Sequence, residues 1–329
     1  VTGLRAWRPA RAADGPYQAR AADVAALNEV FSEAFTERYR KDGLVGVRVP
    51  ALNPAIWRYA LADAGEGAML WRGERGEVVA FNIAHHSGPL GDGEGWMGPL
   101  AVRPGLQGKG IGKAVVRAGV DWLRGRGART IGLETMPRTM DNIGFYSGLG
   151  FVPGPLTLTV TLEAESAPTP PQLVGRLPGR DRDDALAECR ALAAALIPGR
   201  DFTREIALTE ELALGDTVLV RGGGGRLLGF ALCHSAPLVE GRVREELRVL
   251  KLVTASREAV PGIAAAVCDF ARRSGTRRAA FRVQGDYPWL YAELLRRRGR
   301  VRWTDLRMTL DGHAEPRAAE GAVLSNWEI

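Results

Sequence analysis

The chain carries three cysteines (189, 233 and 268) and four histidines in 329 residues. An odd, scattered set of thiols gives neither a disulfide framework nor zinc-ligand spacing, and suits buried thiols in a reducing compartment. No run of eighteen apolar residues occurs, and the first residues lack the apolar core of a secretory signal, so a soluble cytoplasmic protein without a membrane partner is expected. Basic character is weak, with a net charge of +6. The nearest thing to a basic stripe, Arg296, Arg297, Arg298 and Arg300, reads as a solvated helix end, so no nucleic-acid partner is expected. Gly91 to Gly95 holds too few carboxylates for a calcium loop, and no metal is expected. The length suits two domains of ordinary size.

Glycine is concentrated where it is informative. An apolar run, 96–102, ends in Arg103-Pro104-Gly105-Leu106-Gln107-Gly108-Lys109-Gly110-Ile111-Gly112-Lys113, after which Val115, Val116, Gly119, Val120 and Leu123 fall on one helical face. Glycines at 108, 110 and 112 remove Cβ atoms where a backbone would approach a ligand, and the free N–H groups opening the helix point at that ligand. This is an anion cradle. Each such terminus contact contributes only about 0.3–1 kcal/mol, so several amides with Gln107 and Lys109 have to converge. The Walker spacing fails because Ile111 stands where lysine is required, and the dinucleotide fingerprint fails at its third glycine.

What remains is Gln/Arg-x-x-Gly-x-Gly/Ala, met by residues 107–112, which resembles the pyrophosphate loop of the GNAT acyltransferases. Downstream, Tyr146, Gly150 and Phe151 match the Tyr-x-x-x-Gly-Phe end of that family's core. Helices over 22–34 and 54–64 and a hairpin of 69–72 with 78–85 complete the order, so the resemblance spans 1–163. It implies an α/β (α+β) fold with a mixed, mostly antiparallel sheet flanked by helices. It also implies an acetyl-CoA site, with Gln107, Gly108, Lys109, Gly110, Ile111, Gly112 and Lys113 on the pyrophosphate and Leu100, Ala101 and Val102 along the pantetheine. The family's usual asparagine position is Thr139 here, and Asn142 stands three residues later; the pantetheine contact is open between them.

The remainder of the chain repeats the first part. A shift of 149 residues aligns Leu70 to His85 with Leu219 to His234 without a gap, with six identities in sixteen positions. Duplication is the reading. It gives a first GNAT domain over 1–163, a proline-rich linker over 164–171, a second domain over 172–312 and a tail over 313–329. In the second copy the loop 254–261 is shorter and lacks glycine, so that copy reads as degenerate. Tandem GNAT proteins have this plan. They include mycothiol synthase, whose catalytic copy is the carboxy-terminal one, unlike here, and proteins of antibiotic biosynthesis clusters such as the clavulanic acid cluster.

The resemblance implies an enzyme, an N-acetyltransferase in which the amine of a small-molecule acceptor attacks the acetyl-CoA thioester directly. An alkyl amine of pKa about 10.4 is deprotonated at a cost of roughly 4 kcal/mol at neutral pH, which a base or binding must offset. Glu134 and Glu94 are the candidate bases. Tyr146 is the candidate acid for the departing thiolate. His85, matched by His234, reads as structural because both copies keep it. The alternative is an acyl-CoA-binding protein whose amino-terminal cofactor is structural, any transfer using the carboxy-terminal cleft. The oligomeric state is left as monomer or homodimer.

Overall fold

A computed structural model describes residues 13–327. In the first half the order is β1 (Asp14–Gln18), α1 (Val24–Lys41), α2 (Pro54–Ala64), β2 (Ala68–Arg72), β3 (Val78–Ser87), β4 (Glu94–Val102), α3 (Ile111–Gly125), β5 (Thr130–Thr135), α4 (Met140–Ser147) and β6 (Phe151–Glu163). The second half follows with β7 (Gln172–Leu173), α5 (Gly179–Leu196), α6 (Thr203–Glu211), β8 (Gly215–Arg221), β9 (Leu227–His234) and β10 (Glu246–Thr254). It ends with α7 (Val260–Arg273), β11 (Arg278–Gln284), α8 (Pro288–Arg296), β12 (Arg300–Leu310) and β13 (Ala322–Ser325). Phe81 lies on β3 and Phe230 on β9, each in the second strand of an antiparallel hairpin.

Local chemistry accounts for these elements. Pro54 opens α2 in the first turn, where its missing N–H costs nothing, and the Asn53 side chain caps the helix by accepting from Ala55 N at 3.0 Å. On α3 the apolar stripe Val116, Val120 and Leu123 packs against Ala84, Met97, Ile131 and Leu133. Gly119 lets this helix lie close to the sheet, since a Cβ there would come within 2.5 Å of the Met97 sulfur. All ten residues of β3 are buried, as expected of a strand covered on both faces.

The sheet departs from two separate domains each with its own. It is one continuous sheet in the order β1-β2-β3-β4-β5-β12-β6-β11-β10-β9-β8-β7, with β13 added on β10. It is mostly antiparallel; β4 with β5 and β10 with β11 are the parallel pairs. At its centre each half's last strand sits beside the other half: β12 pairs with β5, and β6 pairs with β11. The lengths of β6 and β12 make this possible, because β6 hydrogen-bonds β11 along one edge and β12 along the other, leaving no open edge at the seam. Residues 164–171 join β6 to β7 outside any helix or strand. The segment expected as a tail is part of the fold, since it contributes β13.

Candidate active site

The parallel pairing of β4 with β5 runs from Glu94 opposite Thr130 to Met97 opposite Leu133 and stops there. Both strands continue, β4 to Val102 and β5 to Thr135, so they part into a wedge. On its other edge β4 stays hydrogen-bonded to β3, with Leu100, Ala101 and Val102 opposite Asn82, Phe81 and Ala80. Among the described residues no strand pairs with the wedge-facing edge of 98–102. Backbone amides and carbonyls along such an edge favour an extended partner that itself carries amides.

The wedge opens onto the glycine loop. Gly108 and Gly110 have φ of +78° and +85°, and Gly110 is the N-cap of α3. A Cβ at either position would meet nothing within 4 Å, so the space above the loop is free of protein atoms. Gln107, Lys109 and Lys113 are exposed around it, and Ile111 is buried beneath. The Gln107 side chain donates to Val102 O at 3.1 Å and so ties the loop to the end of β4. Gly112 is different, because its Cβ would meet the Phe145 ring at 3.3 Å; it allows α3 and α4 to approach.

On the opposite lip, Thr139 is buried and its hydroxyl donates to Asp42 Oδ2 at 3.0 Å. Asn142, half-buried one turn later, reaches Thr135 Oγ1 at 3.4 Å. Tyr146 projects from α4 into the core, edge-on to Phe145 and Phe151 at centroid distances of 5.2 and 6.2 Å. Burial raises its phenol above the ordinary value, so it is a protonated donor at neutral pH.

Neither carboxylate suggested by the sequence is suited to be a base. Glu134 accepts from Arg282, from Arg307 Nη1 at 2.8 Å and from Thr157 Oγ1 at 2.5 Å. Burial opposes its charge, but Arg282 and Arg307 outweigh burial and hold its pKa below the ordinary value. Glu94 is fully buried, accepting from Ser325 Oγ at 2.6 Å and Trp96 Nε1 at 3.0 Å with Arg200 at 3.2 Å. Burial is again opposed and overcome, here by Arg200 and Lys251, and the pKa falls. A carboxylate paired in this way gives up too much to take a proton.

The second half has the same wedge with different contents. β10 pairs with β11 from Glu246 to Val249, and beyond that point β13 lies antiparallel along it, from Lys251 opposite Ser325 to Thr254 opposite Ala322. A peptide strand of this chain thus fills the position that is open in the first half. The loop before α7, Arg257 to Ala259, has no glycine. A cavity of about 590 Å³ remains outside it, bordered by Arg257, Trp289 and Arg317.

Sequence reasoning missed a buried polar cluster between the halves. His85 Nδ1 lies 2.6 Å from Asp63 Oδ2 and its Nε2 lies 3.2 Å from Gly98 O, at the point where the wedge opens. Trp327 stacks on His85 and tilts against Trp96, with Lys251 Nζ 3.8 Å from its ring centre. Glu205 accepts from Ser87. Lone polar residues in apolar strands, such as Lys251 within Val249 to Val253, were the available signal. Burial first, and the Asp63 charge second, push the Glu205 carboxyl from 4.5 up to about 7. A carboxyl with a raised folded pKa contributes stability that is complete below its unfolded value and lost as pH rises through the folded one. Thermal melts should therefore show wild type losing stability relative to Glu205→Gln as pH rises from about 4.5 to 7. Parallel pH profiles for the two proteins would contradict this.

Residues 26–151 match the model of the Acetyltransferase (GNAT) family. The matched segment runs from α1 to the first residue of β6. Serotonin N-acetyltransferase 2, chloroplastic, from Oryza sativa subsp. japonica is 34% identical over 135 residues, covering 40% of this chain. The chain spans 58% of that relative's length. Two solved structures share the fold across both halves. Saccharomyces cerevisiae N-myristoyltransferase with bound myristoyl-CoA superposes with a TM-score of 0.63 at 11% identity, covering 99% of this chain and 87% of its own. A tandem GNAT protein of the clavulanic acid biosynthesis pathway gives 0.58 at 14% identity, covering 90% and 96%. Among the described residues no helix is long and apolar enough to cross a membrane, and no group of side chains could hold a metal ion.

Proposed function

We propose that this chain transfers an acetyl group from acetyl-CoA to the primary amine of a small molecule at the wedge of its first half. The observation that carries this reading is the unpaired edge of residues 98–102, which leads into a left-handed glycine loop at the start of α3. In the second half, an equivalent edge takes an extended peptide, β13, showing that such a wedge holds a chain with amide groups at strand spacing. The pantetheine arm of acetyl-CoA has two amides, and the pyrophosphate of the same cofactor would reach the loop of Gln107 to Lys113, with Leu100, Ala101 and Val102 along the arm and Thr139 or Asn142 opposite.

Acetyl-CoA supplies the acyl group already activated as a thioester. The chain's part is to align the acceptor, exclude water and supply a proton. In this reading Tyr146, kept protonated by burial, gives its hydroxyl proton to the departing sulfur as the C–N bond forms and the C–S bond breaks, and the proton the amine sheds passes to the tyrosinate and restores the hydroxyl. Incubation with labelled acetyl-CoA and an amine panel should release CoA only when an accepted amine is present. CoA-loaded protein that transfers to no amine would leave acyl-CoA as a structural ligand.

The second half is read as a copy that no longer binds acyl-CoA, with 1–163 and 172–312 as the two units. Its support is the matched hairpins, the equal order of elements from hairpin to last strand, and the filled wedge. This argues against transfer at the carboxy-terminal cleft. One acyl-CoA per chain is expected in calorimetry or native mass spectrometry. A stoichiometry of two would overturn the assignment.

A further inference from the structure

The end of α1 lies across the mouth of the wedge. Lys41 Nζ donates to Gln107 Oε1 at 3.3 Å beside the glycine loop, and the next residue, Asp42, accepts from Thr139 Oγ1 at 3.0 Å on the opposite lip. Arg38 Nη2, 2.5 Å from Asp42 Oδ1, holds the turn that carries both residues. The backbone at 41 is thus fixed by its neighbour, while the lysine side chain stays 45% exposed. Gln107 donates its amide N–H to Val102 O, so its acceptor oxygen faces outward, where alone it would repel an anion. Lys41 on that oxygen makes the same spot cationic and keeps further N–H donors for a ligand. Glu37 does not cancel this charge, because its oxygens accept from Arg40 Nε and Nη2 at 2.8 and 2.7 Å and Lys41 Nζ is 4.0 Å away.

One residue back on each element, a cavity of about 840 Å³ opens between α1 and the loop after β4, bordered by Arg40, Val47, Arg48, Val79, Pro104 and Leu106. That volume is in the range of small-molecule sites. Its walls are held in place. Arg103 donates to Glu29 and Glu33 at 2.7 Å each and to Val78 O at 2.9 Å, which pins the loop to α1 and β3, and Val49 N donates to Thr36 Oγ1 at 2.9 Å, which pins the segment after α1. Arg48 is exposed at the rim and has no ion pair among the described residues. An apolar slot with an unmatched cation at its rim, continuous with a phosphate cradle, suits a flat heteroaromatic ring that carries phosphate. We propose that this cavity seats the adenosine end of the acyl donor, its ring against Val47 and Leu106, its 3′-phosphate at Arg48, and its pyrophosphate on Lys41 where the donor turns from the glycine loop towards α1. The inference rests on the acyl-CoA reading of the wedge and adds a source of donor selectivity that the loop motif does not contain.

The test is calorimetry with acetyl-CoA, its 3′-dephospho form and S-acetylpantetheine, which has no phosphate, followed by turnover on an amine panel. Wild type should bind acetyl-CoA about five- to ten-fold more tightly than the dephospho form, and Arg48→Met should erase that difference. Lys41→Met should weaken both nucleotide donors by about five- to ten-fold and leave S-acetylpantetheine unchanged, and Lys41→Arg should restore them. Val47→Glu, at an exposed position that does not hold the core, should weaken acetyl-CoA alone by putting a carboxylate beside the adenosine. Equal wild-type affinity for acetyl-CoA and its dephospho form, wild-type affinity in Lys41→Met, or a loss in Lys41→Met that S-acetylpantetheine shares each overturns the seat and leaves the transfer reading standing. Wild-type protein that binds no acetyl-CoA overturns both. Binding with the expected dependence on Lys41 and Arg48 but no turnover of any amine supports the seat and overturns the transfer reading.

Discussion

Gly110→Val should weaken acyl-CoA binding by at least about 100-fold in calorimetry while the protein still melts cooperatively. Two effects act together at this position. The native φ of +85° is one that a β-branched residue occupies only with strain of about 1–2 kcal/mol, so the loop is pulled away from its native path. The new side chain would also project into space that is free of protein atoms now, the space assigned to the pyrophosphate. Losing several amide contacts of about 0.3–1 kcal/mol each accounts for the expected drop. Gly125→Ala is the control: it too has nothing within 4 Å but lies at the far end of α3 with ordinary dihedrals, and binding should be unchanged. Wild-type affinity in Gly110→Val would sink the cradle assignment.

Tyr146→Phe should lower the rate of acetyl transfer by about 100-fold and leave acyl-CoA affinity within a factor of a few. The substitution removes one hydroxyl and keeps the ring that packs on Phe145 and Phe151, so the fold around α4 is preserved. A thiol of free pKa about 8.5 is already a fair leaving group at neutral pH, which limits the effect. The measurement is kcat on an accepted amine under conditions where chemistry limits the rate. Wild-type turnover in the variant would reduce Tyr146 to a packing residue.

Local pattern carried the first half a long way. Residues 54–64 are placed as a helix by the order of elements that the resemblance implies, and α2 occupies that span. The stripe of α3 and the glycines before it identified the loop, since helix period and left-handed backbone are properties of near neighbours in sequence. The hairpin match at a fixed offset pointed to a second copy for the same reason. The roles of Glu134 and Glu94 were not legible in this way. The arginines that pair with them, Arg282, Arg307 and Arg200, come from the other half, as does Ser325, and nothing near either glutamate in sequence announces them.

The sequence by itself determined the first-half helices and hairpin, the glycine loop, the tyrosine on α4 and the repeated hairpin, because each depends on residues within a turn or a hairpin of one another. Only the tertiary structure decided that β6 and β12 cross at the seam, that β13 returns to fill the second wedge, and that the end of α1 reaches Gln107 beside the glycine loop. Strand pairing is set by which backbone edges are left open once the halves meet, and an alternating strand such as β12 carries no mark of which edge it will join.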